Sequence, residues 1–195
     1  MKNKAVFLDR DGVINEVVYH QEMGILDSPF TAEQLKILPD VGTAINLLHK
    51  QGYKVIIISN QPGLAKAHFT VNTFKKMQQK MATELKKQKA FVDAEYYCFH
   101  HPYGTVALYT KTCTCRKPKP GMIRSAAKEH NIDLSQSWMI GDGITDIQAG
   151  QTAGCKTILI GRMKCDLCKR MDDEDAKPEH IAPNLYKAAL IITKE

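Results

Sequence analysis

The chain has 195 residues, 44% apolar and 25% charged, which fits a single α/β domain with one large core and excludes a low-complexity or repeat protein. No apolar stretch approaches the length of a membrane span, and a first strand starting near Lys4 leaves no room for a signal peptide, so a cytoplasmic protein without membrane contact is expected. The formal net charge of +6 suits anionic substrates and is compatible with nucleic acid, although the basic residues are mostly scattered or lie on one predicted helix.

Apolar runs over residues 5–8, 55–58, 94–98, 138–140 and 157–160 predict strands covered on both faces. A helical pattern spans 41–51, with Asp40 as its N-cap and Gly52 as its stop. A longer one runs from the cap Thr70 to Lys89, with Phe74, Met77, Met81 and Leu85 on a core-facing stripe. Further helices are predicted over 121–129, 145–153 and 184–192. This alternation implies a doubly wound, mostly parallel sheet in one domain covering residues 1–195. Connections at about 15–40 and 98–120 are long for a compact domain, and are expected to be a substrate-shaping loop and a metal-bearing loop.

The strand tips carry the chemistry. Asp9-Arg10-Asp11-Gly12 follows the first strand, and in an open α/β sheet ligands bind beyond the carboxyl ends of strands. Two residues apart, Asp9 and Asp11 would share a face of a continuing strand, and Gly12 permits the chain to turn out of strand geometry there. Paired carboxylates call for a cation or a proton between them, and an oxygen-only set favours Mg2+. A solvated Asp-Gly turn is the plainer alternative. Ser59-Asn60-Gln61-Pro62-Gly63 offers a hydroxyl and backbone amides, Lys117 a positive charge flanked by Arg116 and Pro118, and Gly141-Asp142-Gly143-Ile144-Thr145-Asp146 a third carboxylate in Asp142. Asp146, one helical turn on, is either a helix cap or a fourth ligand. Cys98-x-His100 with Cys113-x-Cys115 is a common structural set for tetrahedral Zn2+, with His101 as the alternative histidine and free thiols as the alternative reading. Cys165-x-x-Cys168 has metal or redox spacing but no second pair, and the acidic run 172–175 reads as a surface loop.

In order and position, Asp9-x-Asp11-Gly12, Ser59, Lys117 and Gly141-Asp142-x-x-x-Asp146 resemble the four motifs of the haloacid-dehalogenase (HAD)-like phosphatases over residues 4–162. The string from Cys98 to Gly121 resembles more narrowly the D-glycero-D-manno-heptose 1,7-bisphosphate 7-phosphatases and the related histidinol-phosphate phosphatases. That resemblance implies Mg2+-dependent phosphoryl transfer, with Asp9 as nucleophile and Asp11 as general acid and base. Ser59 and Lys117 would hold the phosphate, and Asp9, Asp142 and the Asp11 backbone carbonyl the Mg2+. Arg116, with Asn60 as a weaker candidate, would contact the substrate. A phosphorylated small molecule is the expected partner and a monomer the expected state, while a closed set of four protein ligands leaves Zn2+ a structural role. Residues 19–36 do not match the heptose pattern. Histidinol phosphate and a polynucleotide 3′-phosphate are the alternative substrates, although aromatics make up only 7% and no aromatic-interleaved basic groove is present. A zinc-stabilised binding module without catalysis is the non-enzyme alternative.

Overall fold

The first strand, β1 (Lys4–Leu8), is buried on both faces because alternate residues point to opposite sides and Ala5, Val6, Phe7 and Leu8 are all apolar. A hairpin of β2 (Val18–His20) and β3 (Ile25–Asp27) follows, then α1 (Val41–Lys50), β4 (Tyr53–Asn60) and α2 (Val71–Lys87). The chain continues through β5 (Ala94–Cys98), α3 (Gly121–Glu129), β6 (Trp138–Gly141), α4 (Ile144–Ala153), β7 (Lys156–Ile160), β8 (His180–Ala182) and α5 (Leu185–Ile192). This computed structural model describes residues 2–161 and 173–194, so Cys165, Cys168 and Asp172 lie outside the described residues.

The six-stranded sheet has the order β5-β4-β1-β6-β7-β8 with every neighbouring pair parallel, as the buried apolar runs predict. From β1 the chain first builds outward through β4 and β5, then returns to place β6 on the other side of β1. Strand order therefore reverses between β1 and β6, and the crevice beyond their carboxyl ends is where such sheets bind ligands. Val6 and Leu8 pack on one face with α1, α2 and α5, through residues such as Ile45, Met77 and Ala188. Ala5 and Phe7 pack on the other with Met122, Ile123 and Ala126 of α3 and Ala149 of α4.

Helix α2 begins where its sequence predicts: Thr70 Oγ1 accepts from the Thr73 amide at 3.2 Å, and Phe74, Met77, Met81 and Leu85 are all buried. Helix α1 does not. Asp40 adopts a left-handed conformation (φ 61°) and makes no side-chain cap. Gln88, just beyond α2, does the capping instead, its Oε1 accepting from the Gly42 amide at 3.0 Å. The 15–40 connection contains the antiparallel β2–β3 hairpin, and β8 adds an edge strand; neither is predicted by the sequence reading, because three-residue strands carry too short a pattern. Among the described residues no helix is long and apolar enough to cross a membrane.

Removing the α2 cap should cost stability without touching chemistry. Thr70→Ala is expected to destabilise the fold by about 1 kcal/mol, lowering the thermal midpoint by about 2–4 °C, with turnover unchanged. Calorimetry alongside an activity assay checks both halves.

Candidate active site

At the tip of β1 the chain leaves strand geometry at once. The Asp9 amide still donates to the Ile140 carbonyl of β6 at 2.9 Å, but the Ile14 and Asn15 amides both turn back to the Arg10 carbonyl, at 2.8 and 3.0 Å. Gly12 sits at φ 78°, where a side chain would be strained, and a Cβ there would also collide with Asp142 Oδ2. The turn thus seats the loop after β1 directly against the carboxylate that follows β6.

Lys117 is the hub. It is 3% exposed, and its ammonium reaches Asp9 Oδ1 at 3.0 Å, Asp146 Oδ1 at 2.5 Å and the Ile58 carbonyl at 2.9 Å. The two carboxylate contacts are ion pairs, and the Ile58 contact is a hydrogen bond that the ammonium donates. Burial alone would lower the Lys117 pKa, but the charges of Asp146 and Asp9 outweigh it and raise it to about 12. Asp146 serves two purposes, since its Oδ2 also accepts from the Gly143 amide at the start of α4, 3.0 Å away. The helix-cap reading therefore holds, with an ion pair added to it. Asn60 grips the Lys117 backbone from both sides, accepting from its amide at 3.0 Å and donating to its carbonyl at 3.1 Å. Its amide group is committed to holding Lys117, which leaves it poorly suited to the substrate contact expected from sequence.

Asp9, Asp142 and Asp146 bring carboxylate oxygens within 4.8 Å of one another. Burial first, then repulsion from Asp9 and Asp146, pushes Asp142 up to about 7. Burial also raises Asp146 to about 6, against the pull of Lys117. When ionised, three carboxylates against one ammonium leave two negative charges unbalanced, the charge of one divalent cation. An oxygen-only donor set of this kind fits Mg2+. The Asp11 carboxylate is not part of the cluster. It is held by Arg10, Asn15 and Gln61, three residues to which sequence reasoning assigned no role, and Gln61 also reaches Ser59 Oγ at 3.2 Å.

On the other side of Lys117, Cys98 Sγ, His100 Nδ1, Cys113 Sγ and Cys115 Sγ form a four-ligand cluster. Sulfur separations are 3.3–3.6 Å, and Nδ1 lies 3.4 and 3.7 Å from two of the sulfurs. A Zn–S bond of about 2.3 Å in a tetrahedron sets sulfurs about 3.8 Å apart, so the cluster has close to the dimensions of a closed zinc site and is too wide for a disulfide. His101 is outside it, its Nδ1 accepting from the Tyr103 amide at 3.2 Å. The cage reaches straight into the segment that carries Lys117: the Arg116 amide donates to Cys113 Sγ at 3.4 Å, and Arg116 Nη1 donates to the His100 carbonyl at 3.3 Å.

A HAD-hydrolase-like family model matches residues 114–188. The D-glycero-β-D-manno-heptose-1,7-bisphosphate 7-phosphatase of Haemophilus ducreyi is 38% identical over 163 residues, 83% of this chain and 85% of that protein. The chain belongs to the HAD-like phosphatases, in the group of the heptose-bisphosphate 7-phosphatases. The corresponding Rhodopseudomonas palustris enzyme is 39% identical over 78% of the chain and 81% of its own length. The crystal structure of D,D-heptose 1,7-bisphosphate phosphatase from B. bronchiseptica, complexed with magnesium and phosphate, superposes with a TM-score of 0.79 at 29% identity, covering 98% of each chain. The acid cluster of this HAD-like phosphatase lies beyond β1 and β6, and the zinc-type cage joins the end of β5 to the segment before α3.

In this HAD-like phosphatase the cage predicts one tightly bound zinc per chain. Cys113→Ser should lower zinc content and reduce turnover indirectly, by loosening the backbone that carries Arg116 and Lys117. Elemental analysis of protein purified without chelator checks it. Metal-free protein with full activity would contradict it, and a second equivalent would direct attention to Cys165 and Cys168.

Proposed function

We propose that the chain hydrolyses a sugar bisphosphate, D-glycero-β-D-manno-heptose 1,7-bisphosphate, releasing the 7-phosphate through an aspartyl-phosphate on Asp9. The observation that carries this reading is the Asp9 carboxylate, anchored through Oδ1 by the Arg10 amide at 2.7 Å and by Lys117 at 3.0 Å, in the crevice between β1 and β6. Similarity to the heptose-bisphosphate phosphatases supports the choice of substrate.

Anchoring through one oxygen fixes the carboxylate plane and leaves Oδ2 to attack phosphorus in line with the leaving oxygen. Mg2+ bound by Asp9, Asp142 and the Asp11 backbone carbonyl would offset the repulsion between the carboxylate and the phosphate dianion. Lys117 neutralises charge on Asp9 and on the phosphoryl oxygens, and Ser59 with nearby amides orients those oxygens. Asp11 gives its proton to the departing alkoxide, then takes one from the water that cleaves the acyl phosphate. Arg116 lines a mostly apolar recess of about 220 Å3 with Pro102, Lys111, Cys113, Pro118 and Lys119, and its guanidinium is the group placed to take the phosphate that is not cleaved. Cysteines used for metal binding rather than for disulfides suit a reducing cytoplasm, where the chain acts as a monomer.

A phosphate-release screen over the heptose bisphosphate, histidinol phosphate and 3′-phosphorylated oligonucleotides tests the function. The heptose bisphosphate should give the highest kcat/KM, and Asp9→Asn should abolish turnover while remaining folded. Preference for either other substrate, or an active and folded Asp9→Asn, would contradict the reading.

The acid cluster also makes stability depend on pH. Asp142 is raised to about 7, so the folded chain holds its proton where the unfolded chain has lost it. Stability is therefore lost as pH rises from the ordinary carboxylate range through about 7. Mg2+ competes for the ionised carboxylates, so it should raise the unfolding midpoint more at about pH 8 than at about pH 5. Equal increments at the two pH values would mean that the cation does not bind this cluster.

A further inference from the structure

Three buried side chains to which the proposed reaction gives no task converge on Asp11. Arg10 is 1% exposed, and its Nε and Nη2 lie 3.2 and 2.9 Å from Asp11 Oδ1, with Nη2 also 3.2 Å from Oδ2. Its guanidinium lies 5.8 Å from the centre of the Phe74 ring, which packs it from the α2 side. Asn15 donates Nδ2–H to Oδ1 at 2.9 Å. Gln61 donates Nε2–H to Oδ2 at 2.6 Å and lies 3.2 Å from Ser59 Oγ.

Both amide residues are fully buried, yet Asn15 Oδ1 and Gln61 Oε1 have no hydrogen-bond partner among the described residues. An unmet buried acceptor is a standing cost, and such atoms are rare in folded proteins. Turning either amide over would set an acceptor against the Asp11 carboxylate, which is worse. The fold thus leaves two acceptors unmet in order to aim two donors at one carboxylate. That pattern marks a site where geometry is kept at a cost to stability.

We infer that Arg10, Asn15 and Gln61 are positioning residues that fix the Asp11 carboxylate for proton transfer, and that Gln61 couples it to the phosphate-binding Ser59. The inference rests on the proposed phosphatase reading, in which Asp11 is the acid and base. Through Gln61 the hydroxyl that orients the phosphate and the carboxylate that serves the leaving oxygen are held in one frame. A misplacement of about 1 Å is enough to cost about a hundredfold in rate, so such a frame matters to turnover.

Gln61→Leu tests this with the least risk to the fold, because it removes the unmet acceptor together with the donor. Single-turnover phosphoryl transfer is measured from the heptose bisphosphate, whose alkoxide leaving group needs a proton, and from p-nitrophenyl phosphate, whose phenolate does not. Transfer from the sugar should slow about 10–100-fold and transfer from the aryl ester, which loses only the Ser59 contact, about tenfold less than that, with an unchanged or higher unfolding midpoint. Equal slowing on both substrates, or slowing that tracks a lowered midpoint in Gln61→Leu and in the second uncharged variant Gln61→Met, overturns the positioning role. Asp11→Asn separates the two claims. If it transfers phosphoryl from the sugar at the wild-type rate, the acid assignment beneath the inference fails. If Asp11→Asn is slow while Gln61→Leu is fast, the positioning role alone is wrong.

Discussion

A single buried ammonium holds the active site of this phosphatase together. Lys117 forms ion pairs with Asp9 and Asp146 and donates to the Ile58 carbonyl, joining the tips of β1 and β4 to the start of α4. Without it, three carboxylates would face one another in a desolvated crevice, and an uncompensated buried charge is among the most destabilising features a protein can carry. With it, two negative charges remain for a divalent cation to balance. The surrounding backbone is shaped to that end. Gly12 lets Asp142 come close, and a Cβ at Gly141 would strike the Asp146 side chain.

The thiol cage extends this constraint to the sequence before Lys117. The segment between Cys98 and Cys115 is largely exposed or half-buried and has little apolar surface with which to fold itself. Four metal-type ligands substitute for a core there. Because Arg116 and Lys117 follow Cys115 directly, the cage, the Asn60 clamp and the ion pairs fix one continuous stretch of backbone. A structural metal site thereby bears on catalysis without touching the reacting atoms.

The architecture was legible in the sequence because its main strands are continuous apolar runs and its helices carry clean stripes, as at Phe74, Met77, Met81 and Leu85. Asp9, Ser59, Lys117 and Asp142 could be found because each stands just at or after the end of such a run, or beside a proline. What could not be read was set by contacts distant in sequence. Gln88 caps α1 from 46 residues away, and Asn60 serves Lys117 from 57 residues away. The Arg10, Asn15 and Gln61 frame exists only because β1 and β4 are neighbours, and its one local trace is the density of polar residues at two strand tips. The hairpin at Val18–His20 and Ile25–Asp27 is illegible for a local reason, since each strand is three residues long and its central residue, Tyr19 or Leu26, is an exposed apolar one.

The central claim is that the phosphoryl group passes through Asp9, and trapping it there is the most direct test. Enzyme quenched in acid during turnover of the heptose bisphosphate, then digested and mapped by mass spectrometry, should carry a phosphoryl group on the peptide containing Asp9, at the Asp9 carboxylate. A fully active enzyme whose Asp9 peptide is never modified, or a phosphoryl group found on another residue, would contradict the account.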